Sequence, residues 1–325
     1  MSFTGDSGTL GALADVGEAD ALDAQGHVRR RPHFSRRRLR EVGLAYLMLS
    51  PSMIIFSIFV FYPFLRNFYL GFFRTPPFPG LPKRYVGLEQ YREVLTSSAF
   101  FNSVKVTVQF ALMTVPVGIA LGLALAVLAH QQLRGMAVYR TIFSSTVATS
   151  VAVASVIFGT LFNPVVGLLP WLGVNPRPPI LGNPDWALPA VALITVWQTL
   201  GLTFILMSSG LQAIPDELHE AARVDGAGAW ARFWKVTLPM LSPTIFFAVV
   251  IGGIFAFQTF GQIDLLTQGG PLEKTNVLTY FVYDTLHSKN DDGKAAVLSV
   301  ALFAITLTLT LVQMRVLERR VHYAR

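Results

Sequence analysis

Long apolar runs separated by short polar stretches set the pattern of this chain. Six such runs stand out, from about Gly43 to Leu65, Val106 to Ala129, Thr141 to Phe162, Trp186 to Leu211, Thr244 to Leu266 and Ala295 to Met314. Runs of about 20 apolar residues match the hydrocarbon thickness of a bilayer. They lack the alternation of barrel strands, and a bilayer interior forbids unpaired backbone groups, so helices are the spanning form they predict. The connection Arg74 to Ser103 begins proline-rich and extended, then predicts a short surface helix over Leu88 to Leu95. The connection Asn163 to Asp185 is again short and proline-rich, and neither is large enough to be a separate domain.

The longest charged interruption of the second half, Leu211 to Pro243, has a pattern of its own. Pro215 suits a first helical position, where its missing N–H has no partner to lose. Asp216 and Glu217 follow in the first turn, where the helix dipole favours negative charge. Gly226 then supplies a residue able to take a left-handed helix end. Beyond it, Trp230, Phe233, Trp234 and Thr237 fall at i, i+3, i+4 and i+7, one face of a second helix. Pro239 and Pro243 bracket the return to apolar sequence. The stretch predicts two amphipathic helices meeting at a glycine bend, with an aromatic face fit to be gripped by another protein.

Composition agrees with membrane integration: 52% of the residues are hydrophobic and 14% charged, against roughly a quarter charged in soluble domains. The chain has no cysteine, which removes disulfides, thiolate catalysis and cysteine metal sites. Residues 1–26 are small, polar and mildly acidic and predict a disordered tail. Arginines at 29, 30, 31, 36, 37, 38 and 40 then form a basic anchor, so that 1–40 is a cytoplasmic tail and 41–325 the membrane domain. The net charge of +7 follows the positive-inside rule better than it does nucleic-acid binding. With the tail inside, Arg134, Arg140, Arg223, Arg232, Lys235, Arg315, Arg319, Arg320 and Arg325 are also expected on the cytoplasmic side, and both termini are expected to be cytoplasmic. No signal peptide precedes the first span, which is too long for one and lacks a small-residue cleavage site.

Polar side chains within spans are costly and by default face the bundle interior or a solute path. Gln109, Gln198, Gln258, Gln262 and Asp264 are the main candidates, with hydroxyls at Thr203, Ser208, Ser209, Thr259 and Ser299. Amides and hydroxyls donate and accept without fixed charge, which suits a polyhydroxylated solute. Serine and threonine also bond back to their own helix, so the glutamines carry more weight. The histidines are scattered without metal-ligand spacing, no catalytic constellation appears, and no phosphate-binding glycine loop is present.

Glu220-Ala221-Ala222, Asp225-Gly226-Ala227 and Val236-Thr237-Leu238-Pro239 resemble, in order and spacing, the EAA loop of ABC importer permeases of the carbohydrate-uptake type. Further blocks are similar: Val86 to Tyr91, Arg140 to Phe143, Leu161 to Pro164, Asn183 to Ala187, Leu211 to Pro215 and Thr267 to Pro271. Ser144-Ser145-Thr146 depart from the family, which usually has a proline there. The surroundings of Asp264 and the ending Val316 to Tyr323 resemble the A-type permeases of glycerol-3-phosphate and glycerophosphodiester importers.

The resemblance implies an all-α membrane protein with six transmembrane helices, the type I ABC importer permease fold, with a cytoplasmic coupling helix. It implies a heterodimer with a second homologous permease, two cytoplasmic ATPase subunits that bind the ATP and Mg, and an extracytoplasmic solute-binding protein. This subunit itself would need no cofactor and catalyse nothing. In the loop, Glu220 would make a polar contact to the ATPase, Gly226 keep the bend, and Trp230, Phe233 and Trp234 fill the ATPase cleft or pin the lever. The implied solute is glycerol-3-phosphate or a glycerophosphodiester, with an oligosaccharide or other sugar as the alternative. A carboxylate at Asp264 would repel a phosphate; a cationic headgroup, as in glycerophosphocholine, removes that objection.

Overall fold

The first apolar run forms a helix even longer than its hydropathy requires. In the computed structural model, which describes residues 36–76, 78, 80–130 and 135–317, α1 (Arg36–Phe56) continues through a π-helical turn, Ser57–Phe61, into α2 (Tyr62–Leu70). The proposed tail lies outside the described residues up to position 35, and α1 already begins within its basic anchor. The π turn ends at Phe61, and the Tyr62 N–H, directly before Pro63, reaches back five residues to Ser57. Proline displaces the carbonyl four residues before it, and the wide turn absorbs that displacement. The chain divides into one unit up to Pro63 and another from Phe64 onward.

Within the second unit, β1 (Phe73–Arg74) and β2 (Arg84–Tyr85) pair antiparallel, and α3 (Glu89–Leu95) is the expected short helix. Gln90 of α3 is fully buried and donates to the carbonyls of Gly71 and Phe73 at 3.3 and 3.4 Å. α4 (Ser98–Ala129) and, after the broken third run, α8 (Ala187–Gln212) are uninterrupted and cross closely. Gly122 makes that crossing possible, since a Cβ there would lie 2.6 Å from Thr203 Cγ2. α8 is the central helix: half of its most apolar window is buried, against 22% for α4.

The third and fifth runs are not the single helices their hydropathy predicts. The third divides into α5 (Met136–Ser145), a tight turn over Thr146–Ala148, and α6 (Val151–Leu161), bent by 104°. Three successive hydroxyl residues explain the break. Ser144, Ser145 and Thr146 hydroxyls donate to the carbonyls of Arg140, Ile142 and Phe143, which loosens a helix from within. Ser150 then caps α6 by accepting from the Val153 N–H at 3.2 Å. A short helix α7 (Leu168–Trp171) follows in the proline-rich connection.

The charged interruption forms α9 (Asp216–Val224), α10 (Ala229–Arg232), a second π-helical turn, Phe233–Thr237, and α11 (Leu238–Met240). The fifth run then gives α12 (Ser242–Phe257), bent by 62° from the preceding pieces. It breaks at Gln258–Phe260 before α13 (Gly261–Leu266). α14 (Leu278–His287), unforeseen from the sequence, precedes α15 (Asp292–Leu317). Among the described residues, four helices are long and apolar enough to cross a membrane, and up to six if each bent pair is one span. Three apolar cores follow one another along the bundle. One around Phe100, Leu278 and Leu298 lies far from the charged loop, one around Phe110, Val191 and Ile263 in the middle, and one around Met207, Ile214 and Leu241 at the loop end.

Candidate functional site

Both breaks open onto one cavity of about 440 Å³. α8 lines it with Thr195, Gln198, Thr199, Leu202, Thr203 and Leu206, a single helical face. α4 contributes Thr114 and Gly118, the third run Thr149 and Val151, and the fifth run Phe255, Gln258, Thr259 and Gln262. Gly118 has no atom within 4 Å of where a Cβ would stand, so it opens to the cavity and, unlike Gly122, is not a close-approach glycine. The lining contains no Lys, Arg, His, Asp or Glu.

The amides are the polar groups with capacity to spare. Thr114, Thr195, Thr199, Thr203 and Thr259 donate to carbonyls of their own helices. Gln198 Nε2 donates to the Thr149 carbonyl at 3.2 Å, and Gln262 Nε2 donates to Gln198 Oε1 at 2.7 Å. Gln262 is buried, whereas Gln258, at the C-terminal cap of α12, is exposed. Three of the five sequence candidates thus share one cavity. Gln109 is exposed on α4 and Asp264 half-buried in α13, and neither lines it. The periodic threonines Thr195 and Thr199, with Thr114 and Thr149, escaped the sequence reading. The spacing of Thr195, Gln198, Thr199 and Thr203 on one face was the signal available for α8.

The charged loop is a second site of different character. α9 ends in a Schellman motif: the Gly226 N–H donates to Arg223 and the Ala227 N–H to Ala222, at 3.0 and 2.9 Å. Gly226 has φ +76°, the left-handed conformation expected. The two alanine-bearing blocks of the motif therefore meet physically, Ala222 and Ala227 being half-buried while Glu220, Ala221 and Asp225 are exposed. Pro215 caps α9 instead of opening it, one position earlier than expected.

In the second piece the π turn shifts the register. The Leu238 N–H reaches back five residues to Phe233, just before Pro239. Thr237 is consequently buried, while Trp230 and Trp234 are 74% and 50% exposed. The four positions do not form the single 3.6-residue face expected. The rings still cluster, with Trp230 and Trp234 centroids 5.7 Å apart and Phe233 5.5 Å from Trp234. Val224, the last residue of α9, is 88% exposed. A helix pair with no buried residue in α9 and exposed indole rings offers a contact surface to another macromolecule.

Residues 118–323 match the family model of the binding-protein-dependent transport system inner membrane component. The chain belongs to this family. This permease is 38% identical to the sn-glycerol-3-phosphate transport system permease protein UgpA of Agrobacterium fabrum, over 86% of its own length and 96% of the relative's. It is 32% identical to the trehalose/maltose transport system permease protein MalF of Thermococcus litoralis, over 87% and 96%. A bacterial alginate ABC transporter, solved with its pentasaccharide-bound periplasmic protein, contains a chain of the same fold. The TM-score is 0.77, with 21% identity, 89% of the permease and 99% of that chain covered. The permease is a multi-pass membrane subunit of a binding-protein-dependent ABC importer and has no catalytic role of its own.

Proposed function

We propose that this permease forms half of the translocation pathway for glycerol-3-phosphate or a glycerophosphodiester. Gln198, Gln258 and Gln262 would meet the solute's hydroxyl and ester oxygens. The observation that carries this reading is the uncharged, amide-bearing cavity where the breaks of the third and fifth apolar runs face α8. Neutral amides match polyol oxygens one donor or acceptor at a time and leave little to hold the solute on its way through. Relatives named for glycerol-3-phosphate at 36–38% identity support the solute class.

In this reading the permease pairs with a second homologous permease, two cytoplasmic ATPases and an external solute-binding protein. With each bent pair counted as one span, six spans would leave both termini in the cytoplasm, and the α9–α11 segment would be the coupling helix that docks on an ATPase. ATP-driven closure of the ATPases then moves the segment as a lever. The pathway alternates between its two openings because nucleotide and solute each favour one of them.

A second reading, a neutral saccharide, is favoured by the same lining, which holds no cation for a phosphate. Uptake by the complete transporter in proteoliposomes separates the two. Glycerol-3-phosphate uptake competed by glycerophosphocholine, and not by trehalose or maltose, is the expected result. The reverse order of competition would overturn the phosphoester assignment in favour of the saccharide.

A further inference from the structure

One side chain ties both broken spans to the central helix. In a continuous third span the Thr149 carbonyl would accept from the Val153 N–H, but that N–H is taken by the Ser150 hydroxyl. The carbonyl freed at the 104° bend receives Gln198 Nε2 instead, at 3.2 Å. A carbonyl only accepts, so this bond fixes the orientation of the Gln198 amide and turns Oε1 the other way. There it accepts from Gln262 Nε2 at 2.7 Å, and Gln262 stands on α13, just past the break of the fifth span. Thr149, Gln198 and Gln262 all line the cavity.

We propose that the Gln198–Gln262 bridge is a latch that the solute opens. It rests on the reading of the cavity as the solute pathway. With the cavity empty, the bridge holds the third-span bend, α8 and α13 in one arrangement. A solute hydroxyl, donor and acceptor at once, takes up the Gln262 amide and the Gln198 oxygen together. The two broken spans are then released to move against each other. Cavity occupancy is thereby coupled to the step that the ATPases drive, and the empty transporter is held back from idle cycling.

The test reads ATP hydrolysis by the reconstituted complex without any solute or binding protein, so it does not depend on which solute is carried. A wrong solute assignment and a wrong latch therefore give different results. Gln262→Leu removes the donor, and solute-free hydrolysis should rise about fivefold, the factor that one neutral hydrogen bond contributes. The chain has no cysteine of its own, so in a complex whose other subunits are made cysteine-free Gln198→Cys with Gln262→Cys can be bridged specifically by a short bis-thiosulfonate linker. Linking should lower hydrolysis several-fold below the unlinked pair, with recovery on reduction. The latch is overturned if the linked pair hydrolyses ATP at the unlinked rate, or if an assembled Gln262→Leu complex hydrolyses at or below the wild-type rate. Should Gln262→Leu fail to assemble, the linked pair decides alone.

Discussion

Gly201 stands where α8 comes close to the bent third span. Its N–H donates to Thr146 Oγ1 at 2.8 Å, and an added Cβ would lie 2.8 Å from the Val147 nitrogen and 3.0 Å from the Phe143 carbonyl oxygen. Backbone atoms cannot swing aside as a flexible side chain can. Gly201→Ala is therefore expected to destabilise the assembled permease by about 1–3 kcal/mol, the usual cost of overpacking. It should also cut uptake; an unchanged melting temperature of the purified complex would contradict the packing argument. Gly226 is constrained differently, by a φ of +76° with nothing within 4 Å of a Cβ. Gly226→Asp would strain the left-handed position by about 1 kcal/mol and add a charge at the bend. The expected outcome is a complex that assembles but loses uptake and solute-stimulated ATP hydrolysis. Gly226 was legible in the sequence because acidic, apolar and glycine positions fall in helix-stop order around it. Gly201 was not, because its demand comes from a segment 55 residues away in the chain.

At the scale of elements, hydropathy located the four uninterrupted apolar helices but hid the places where the third and fifth runs break. An averaging window passes over Thr149-Ser150 and over Gln258 to Phe260, since a few polar residues hardly lower an apolar mean. What ends those helices is local: hydroxyls bonded back to carbonyls, and a serine cap. Both π turns share a cause that was also in plain sequence, a proline directly after the residue that donates five back. The consequence matters most at Pro239, where the wide turn buries Thr237 and sets how Trp230 and Trp234 are presented. Pro239→Ala restores an N–H able to pair with the Lys235 carbonyl. The π turn should then relax to an α turn, rotating Trp234 by about 100° relative to α12, one residue's worth of helix. A spin label at Trp234 measured against one on α12 would report the rotation. Distances identical to those of the proline-bearing permease would show that something else holds the turn.

Across the whole molecule, the charged loop and the cavity are joined by the loop-end core. α9 buries none of its own residues, yet both roots of the segment are clamped: Ile214 just before it is 7% exposed and Leu241 just after it is fully buried. They pack with Phe204 and Met207 of α8 and Ala248 of α12, the helices that also carry Gln198 and border Gln258. Rigid roots and an exposed tip are the arrangement a lever needs, so weakening a root should cost more than stability. Leu241→Ala opens a cavity at the joint and should destabilise by about 2–5 kcal/mol. Leu298→Ala does the same in the opposite core, where Leu298 is 1% exposed beside Leu278 and Phe281, and serves as a matched control. In proteoliposomes, solute taken up per ATP hydrolysed should fall for Leu241→Ala and stay near wild type for Leu298→Ala, even where both lower the melting temperature equally. Equal ratios for the two variants would mean that motion at the loop reaches the cavity by another route than this core.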